Sequence, residues 1–151
     1  MEKAVFLDKD GVINEIIYET EGILMSPANL DQLKIMDKVK EGIEEIKKMG
    51  FKVIVITNQP GIAFGYINPD KMQEINKFLK KELKIDEIYV CPHHPKFTGE
   101  CNCRKPKIGL IEKAQKDFDL DISNSYMVGD GLNDILAGNK AGVRKTFRIG
   151  I

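Results

Sequence analysis

Short apolar stretches alternate along this chain with stretches in which apolar residues recur at helical spacing, and this alternation constrains the fold most. Strands are predicted at residues 4–7, 52–56, 88–90, 126–128 and 145–147. Helices are predicted at 37–50, 68–83, 107–118 and 133–141. The pattern predicts an α/β fold, a single doubly wound parallel sheet of the Rossmann-like kind with helices on both faces. Right-handed connections then bring the carboxyl ends of all strands to one edge.

The composition is that of one compact domain spanning residues 1–151, because 42% of the 151 residues are hydrophobic. The 23 basic and 23 acidic side chains cancel, so the net charge does not favour duplex DNA or an anionic membrane as a partner. The sequence has no apolar run as long as a membrane span and no signal-peptide pattern at its N-terminus. We therefore expect a cytoplasmic monomer that binds neither nucleic acid nor membrane.

Two carboxylates lie two residues apart directly after the first predicted strand, in the quartet Asp8-Lys9-Asp10-Gly11. Ligands of open α/β sheets bind at this end of the strands. Two like charges so close together are costly unless a cation or a shared proton relieves them. The pair therefore predicts a magnesium-assisted site in which one Asp attacks and the other handles protons. A solvated turn is the alternative, and an EF-hand is disfavoured because its further oxygen ligands and glycine are missing.

Other predicted strands also end in polar side chains. The residues that directly follow a strand are Asp8, Asp10, Thr57 and Asp130. Unrelated turn residues would not need to share one edge of the sheet, so their convergence favours a site. Thr57, Asn58 and Gln59 offer a hydroxyl and two amides that can hydrogen-bond phosphate oxygens, although such residues are also common in turns. The segment 12–36 lacks periodicity and is predicted to be either a lid near the site or a plain connector.

All three cysteines and both histidines lie between residues 91 and 103. Cys91, His93, Cys101 and Cys103 offer three thiolates and one imidazole, the donor set of a closed, structural zinc site. His94 is then free to orient a ligand or contact substrate. An odd number of cysteines disfavours a closed disulfide framework. The alternative is that these are unligated cysteines and surface histidines.

A basic run, Arg104-Lys105-Pro106-Lys107, directly follows the last cysteine. Such a run is usually a solvated surface, but here a zinc loop would hold it beside the predicted phosphate site. Lys105 is placed to neutralise phosphoryl oxygens, and Arg104 could bind a second anionic group through its guanidinium.

These motifs resemble those of a known family. Asp8-Lys9-Asp10-Gly11, Thr57, Lys105 and Gly129-Asp130 are similar, in order, to the four motifs of the haloacid dehalogenase superfamily of aspartate-nucleophile phosphatases. The stretch from Thr57 to Ile62 and the cysteine–histidine loop joined to Arg104-Lys105-Pro106 resemble the D,D-heptose 1,7-bisphosphate phosphatases. The histidinol-phosphate phosphatases are close relatives of that family.

The resemblance implies a role for each residue of the site. Asp8 would attack phosphorus and become an aspartyl-phosphate, and Asp10 would protonate the leaving oxygen and then activate water. Magnesium would be held by Asp8, the backbone carbonyl of Asp10 and Asp130, with Asp134 in a supporting position. The resemblance also implies that the phosphoryl group is contacted by Thr57 and Lys105. It implies that the substrate is bound by Asn58, Gln59 and Arg104.

The resemblance implies only a minimal cap over the sheet. Two positions of this chain depart from the pattern of the family. Members often have Arg where this chain has Phe64, and the heptose enzymes often have Lys where Gly131 follows Asp130. The loss of a cation beside the site weakens the implication of a bisphosphate substrate. The resemblance therefore implies the chemistry more strongly than the identity of the sugar, and histidinol phosphate or another small phosphometabolite stays an alternative.

Three further functions compete with a sugar phosphatase. A polynucleotide 3′-phosphatase shares the Asp-x-Asp-Gly and Thr-Asn-Gln-x-Gly-Ile elements, but the balanced charge and the zinc loop disfavour it. A receiver-type signalling domain would also use strand-end acids, Thr and Lys, and would keep its phospho-aspartate. A binding module built on the zinc loop would leave Asp8, Asp10 and Asp130 without a purpose.

Overall fold

A computed structural model describes residues 1–18 and 24–150. The strands in this part of the chain are β1 (Ala4–Leu7), β2 (Ile17–Tyr18), β3 (Leu24–Met25), β4 (Lys52–Asn58), β5 (Glu87–Cys91), β6 (Tyr126–Gly129) and β7 (Lys145–Arg148). β2 and β3 pair as a small antiparallel hairpin. The other strands form one parallel sheet in the order β5-β4-β1-β6-β7. The winding direction therefore reverses between β1 and β6, the point at which such sheets bind ligands.

The helices are α1 (Val39–Lys48), α2 (Gly61–Phe64), α3 (Pro69–Leu83), α4 (Pro95–Thr98), α5 (Gly109–Phe118) and α6 (Leu132–Ala141). The start of α3 follows from the sequence, because the Asn68 side chain accepts a hydrogen bond from the Asp70 amide at 2.8 Å and Pro69 is the first helical residue. No described helix has the length and apolar character that a membrane crossing requires.

The core is divided between the two faces of the sheet. Ala4 and Phe6 of β1 face α5 and α6, and their cluster includes Ile111 and Ala137. Val5 and Leu7 face the opposite side and pack in the cluster that contains Ile43 of α1 and Ile75 of α3. This alternation along one strand is the period-two pattern of a sheet covered on both faces.

The predicted α/β fold is confirmed, and the predicted strands and long helices all form with boundaries that shift by a few residues. The helix predicted from residue 37 begins at Val39, because Lys38 adopts the left-handed conformation with φ of 65°. The short helices α2 and α4 and the β2–β3 hairpin were not predicted. Within the segment predicted to be a lid or a plain connector, residues 19–23 lie outside the described residues.

Candidate active site

Three carboxylates meet where the winding of the sheet reverses. Asp8 follows β1, Asp130 follows β6, and Asp134 lies in the first turn of α6. One oxygen from each lies within 4.8 Å of the other two. The turn after Asp8 closes tightly over Asp130, because Gly11 has φ of +85° and a Cβ there would lie 2.1 Å from the Asp130 carboxylate. The predicted meeting of Asp8 and Asp130 at one edge is thus present.

Lys105 is buried between two of these carboxylates, with 3% of its surface exposed. Its Nζ donates to Asp8 Oδ1 at 2.9 Å and to Asp134 Oδ1 at 2.6 Å. Burial lowers the pKa of Lys105, but the two carboxylates raise it by more, so the ammonium stays charged. Burial raises the pKa of Asp8 to about 7, because the opposing effect of Lys105 does not cancel the effects of burial and of Asp134.

Asp10 has a separate set of hydrogen-bond donors. Lys9 Nζ and Asn14 Nδ2 donate to Asp10 Oδ1 at 3.2 and 3.0 Å. Gln59 Nε2 donates to Oδ2 at 2.9 Å, and the Ser26 hydroxyl donates to the same oxygen. Burial raises the pKa of Asp10, but the Lys9 ammonium and the neutral donors lower it by more, so the net pKa lies below the usual range. The two acids of the quartet therefore differ sharply in environment.

The site also contains three residues that were not predicted from the sequence, namely Lys9, Asn14 and Ser26. Lys9 and Asn14 are completely buried, which is unusual for a lysine and requires a partner such as Asp10. A lysine enclosed between two acids at a strand end was a usable signal. Asn14 and Ser26 lie in the aperiodic segment 12–36, where spacing carried no information. Their contacts with Asp10 bring this segment to the site.

Gln59, a predicted substrate contact, hydrogen-bonds two other residues of the site. Its side chain is 0% exposed and lies behind the site, where Nε2 bridges Asp10 Oδ2 and Thr57 Oγ1 at 2.9 Å each. In this structure Gln59 therefore orients Asp10, and its contact with substrate stays a prediction. Thr57 is also almost fully buried, with its hydroxyl oxygen accepting from Gln59.

Asn58 connects the end of β4 to the basic run. Its Nδ2 donates to the Lys105 carbonyl at 3.1 Å, and its Oδ1 accepts from the Lys105 amide at 2.9 Å. This two-way bond fixes the backbone from which the Lys105 side chain enters the carboxylate cluster. Arg104 is half-buried, and its Nη1 donates to the His93 carbonyl at 3.3 Å.

The cysteines and His93 form a second cluster, made of the last residue of β5 and of the loop between β5 and α5. One donor atom from each of Cys91, His93, Cys101 and Cys103 lies within 4.8 Å of the others. His93 Nδ1 is 3.3 Å from the Cys103 sulfur, and the Cys91 and Cys101 sulfurs are 3.8 Å apart. All three cysteines are free. Burial raises the pKa of Cys91 and, together with the neighbouring thiols, that of Cys103.

His94 is not among the donor atoms of this cluster. Its Nδ1 accepts from the Lys96 amide at 3.1 Å and so caps the start of α4. Its ring lies against Phe64, with 4.8 Å between the ring centroids. The choice of His93 over His94 as the cluster member therefore agrees with the geometry.

A family model of haloacid dehalogenase-like hydrolases matches residues 15–142. The chain belongs to the haloacid dehalogenase-like hydrolases. It is 37% identical, over 99% of its length and 82% of the relative's, to the D-glycero-beta-D-manno-heptose-1,7-bisphosphate 7-phosphatase of Pasteurella multocida strain Pm70. It is 36% identical, over 97% and 82%, to the D-glycero-alpha-D-manno-heptose-1,7-bisphosphate 7-phosphatase of Photorhabdus laumondii subsp. laumondii.

A solved structure leads to the same family. The crystal structure of D,D-heptose 1,7-bisphosphate phosphatase from B. bronchiseptica, complexed with magnesium and phosphate, matches with a TM-score of 0.80 and 27% identity, covering 95% of this chain and 78% of that one. The predicted family is confirmed, and so is the enzyme class, a hydrolase of phosphoric monoesters.

The carboxylate cluster of this haloacid dehalogenase-like hydrolase has the chemistry of a magnesium site. Magnesium binds oxygen ligands and takes carboxylates and backbone carbonyls. Asp8 and Asp130 bring two carboxylates together, and burial together with the neighbouring Asp134 charge raises the pKa of Asp8. A divalent cation held by these carboxylates would favour the ionised form of Asp8 that a nucleophile needs. Both Asp134 oxygens already accept hydrogen bonds, from Lys105 and from the Gly131 amide, which agrees with a supporting position.

The second cluster has the chemistry of a structural zinc site. Zinc takes thiolate sulfur at about 2.3 Å and imidazole nitrogen at about 2.0 Å, with four ligands in a closed tetrahedron. Three sulfurs and one ring nitrogen within 4.8 Å of one another supply that number and kind of donor. Burial raises the pKa of the Cys101 thiol. Hydrogen bonds to its sulfur from the Arg104 and Cys103 amides and from His93 lower this pKa by more, to about 6. A thiolate is the form that binds metal.

Proposed function

We propose that this chain is a magnesium-dependent phosphatase that forms an aspartyl-phosphate on Asp8 and removes the 7-phosphate of D-glycero-D-manno-heptose 1,7-bisphosphate. The observation that carries the proposal is the cluster of Asp8, Asp130 and Asp134 with the buried Lys105 ammonium bonded to the Asp8 carboxylate. The names of its curated relatives support the substrate. Because those names include both anomers, the preference for one anomer is left open.

Each side chain has a role in the proposed reaction. Asp8 forms a new bond to phosphorus while the bond from phosphorus to the sugar oxygen breaks, and Asp10 gives that oxygen its proton. Asp10 then removes a proton from the water that releases phosphate from Asp8. The Lys105 ammonium stabilises negative charge on the transferring group. The negative phosphoryl group also favours the protonated form of Asp10 in the first step, against the lowering of its pKa by Lys9.

We propose that magnesium is held by Asp8, the backbone carbonyl of Asp10 and Asp130. When bound, magnesium supplies positive charge that neutralises phosphoryl oxygens and orients the group for in-line attack. Thr57 is proposed to contact the phosphoryl group, and Asn58 and Arg104 the substrate. We also propose that the chain is a single domain and a monomer. We propose further that it is cytoplasmic and binds neither nucleic acid nor membrane.

Phosphate release from a panel of monoesters tests the proposed function. With magnesium present, we expect turnover of heptose 1,7-bisphosphate to exceed that of histidinol phosphate by about tenfold or more in kcat/KM, a difference within reach of a few polar contacts. A 3′-phosphorylated oligonucleotide should give no release. Preferred turnover of histidinol phosphate would change the substrate, and a lasting phospho-Asp8 without turnover would indicate a receiver-type domain.

We further propose that Cys91, His93, Cys101 and Cys103 bind one structural zinc ion. The four donors leave no position for substrate, so the zinc would fix the loop that precedes Lys105. The carbonyl of His93 accepts a bond from Arg104, which ties this loop to the basic run.

Replacing Cys101 by Ser should reduce bound zinc from about one per chain to nearly none, because a closed site needs all four ligands. Metal analysis by mass spectrometry on the dialysed protein measures the stoichiometry. His94→Ala is the matched control, since His94 is next to a ligand in the chain yet gives no donor atom to the cluster, and this variant should keep its zinc. An unchanged zinc content in Cys101→Ser would contradict the ligand assignment.

A further inference from the structure

A small pocket opens beside Asp10 and extends away from the carboxylate cluster. Its volume is about 260 Å³, and its polar lining residues are Asp10, Ser26 and Asn58. The rest of the lining is apolar or aromatic and includes Ile16, Met25, Phe64, Tyr66 and Ile67. In the proposed reaction Asp10 protonates the leaving oxygen, so this pocket lies where the leaving group departs.

The charge and size of the pocket restrict what it can hold. Among the described residues that line it there is one acid and no lysine or arginine. A second phosphate therefore finds no counter-charge there and must lie outside the pocket. Ligand pockets for drug-sized molecules occupy about 300–1,000 Å³, so this one suits a single small ring and is too small for a nucleotide or a peptide.

One side of the pocket is an aromatic wall made of Phe64 and Tyr66. The two rings stack with 5.7 Å between centroids and 18° between planes. Gly65 between them has φ of +82°, a conformation in which glycine carries no steric penalty. This turn ends α2 and lets residues on either side of Gly65 present their rings together. Tyr66 is 57% exposed and Phe64 is half-buried, so both rings of the wall are partly open to a ligand.

The cysteine–histidine loop supports this wall from outside the pocket. Phe97 of α4 and Phe64 pack in a T-shaped arrangement, with 4.8 Å between centroids and 78° between planes. His94 packs against the same ring at 4.8 Å. Phe64 therefore contacts three aromatic neighbours, two of which come from the loop that carries the proposed zinc ligands. His94 and Phe97 are positioning residues, because neither lines the pocket.

We propose that Phe64 is a specificity-determining residue whose ring binds the C–H face of a cyclic leaving group, so that the enzyme favours ring sugars over open-chain polyols. A sugar ring presents a flat set of C–H bonds to an aromatic face, whereas a flexible polyol must lose chain entropy to do the same. The inference rests on the proposed function, because the pocket is assigned to the leaving group through Asp10.

Glucose 6-phosphate and glucitol 6-phosphate are the probes that test this inference, because they share the carbon chain and differ in the ring. We expect the ratio of their kcat/KM values to fall about tenfold in Phe64→Ala, mainly through a change in KM. A change of about tenfold corresponds to the energy of one good aromatic contact. Phe64→Tyr should restore the ratio, because it keeps the aromatic face, while Phe64→Leu should not. Phe78→Ala, on the outer side of α3, is the matched control and should leave the ratio unchanged.

Binding of the same probes to the Asp8→Asn chain, measured by calorimetry with magnesium, separates two kinds of failure. If the wild-type chain releases phosphate from no monoester, the proposed function is wrong. The pocket is still supported in that case if the chain binds the ring probe more tightly and Phe64→Ala removes this difference in affinity. If Phe64→Ala lowers the affinity for both probes equally, or for neither, the assignment of Phe64 is overturned whether or not the chain has activity.

Discussion

Replacing Asp8 by Asn should lower kcat for phosphate release by about 10⁴- to 10⁶-fold, the loss that follows removal of a covalent nucleophile. The amide has nearly the shape of the carboxylate, and its oxygen can still accept the bond from Lys105. It cannot form the aspartyl-phosphate. Acid-quenched samples of the wild-type chain with substrate should contain covalent phosphate, and the variant should contain none.

The same substitution should leave the fold at least as stable. Burial raises the pKa of Asp8 from 3.8 to about 7, so the folded state disfavours its ionised form. For an acid whose pKa is raised on folding, this cost to stability begins above the unfolded pKa and is complete above pH 7. Asn removes the cost, and Lys105 keeps Asp134 as its partner. Urea unfolding at pH 8 measures this, with the exposed Asp70→Asn as the control.

One outcome would contradict the assignment of the nucleophile, and another would contradict the expected stability. Undiminished phosphate release in Asp8→Asn would place the nucleophile on another side chain, with Asp10 as the first candidate. A variant that is inactive because it has unfolded at pH 8 would show that the Asp8 charge stabilises the fold, against the direction of its pKa.

Much of the frame of the site follows from local sequence. The strand before Asp8 is predictable because four consecutive apolar residues, all buried, need cover on both faces of a sheet. Asn68 and Pro69 start α3, and Gly142 with φ of 90° ends α6, because caps are local chemistry. Once strands and helices alternate, the handedness of connections brings Asp8 and Asp130 to one edge without further information.

The environment of Asp10 could not be predicted in the same way. Its donors Asn14, Ser26 and Gln59 are 4, 16 and 49 residues away, and no periodicity connects them. An amide after a strand can face either the ligand or the acid beside it, so the sequence does not predict that Gln59 orients Asp10. Only the packed structure shows it completely buried. The contacts of Phe64 were also hidden, because α2 and α4 are single turns with no repeating pattern.

Replacing Lys105 by Met should lower kcat by about 10²- to 10³-fold, the usual effect of removing one preorganised charge from the transition state. It should also lower the free energy of unfolding by about 3 kcal/mol, because a buried carboxylate is left without its cation. Lys105 is fixed at its backbone by Asn58 and at its ammonium by Asp8 and Asp134, so few other groups can take its place. Lys116→Met, on the exposed side of α5, is the control and should change neither quantity measurably.

The double variant Lys105→Met with Asp134→Asn separates the two roles of this lysine. Removing the Asp134 charge takes away one of the carboxylates that Lys105 neutralises, so part of the lost stability should return, as expected for groups in direct contact. Activity should stay as low as in Lys105→Met, because no ammonium faces the transferring phosphoryl group. If activity returned together with stability, Lys105 would serve only to compensate Asp134, and the phosphoryl contact proposed for it would be wrong.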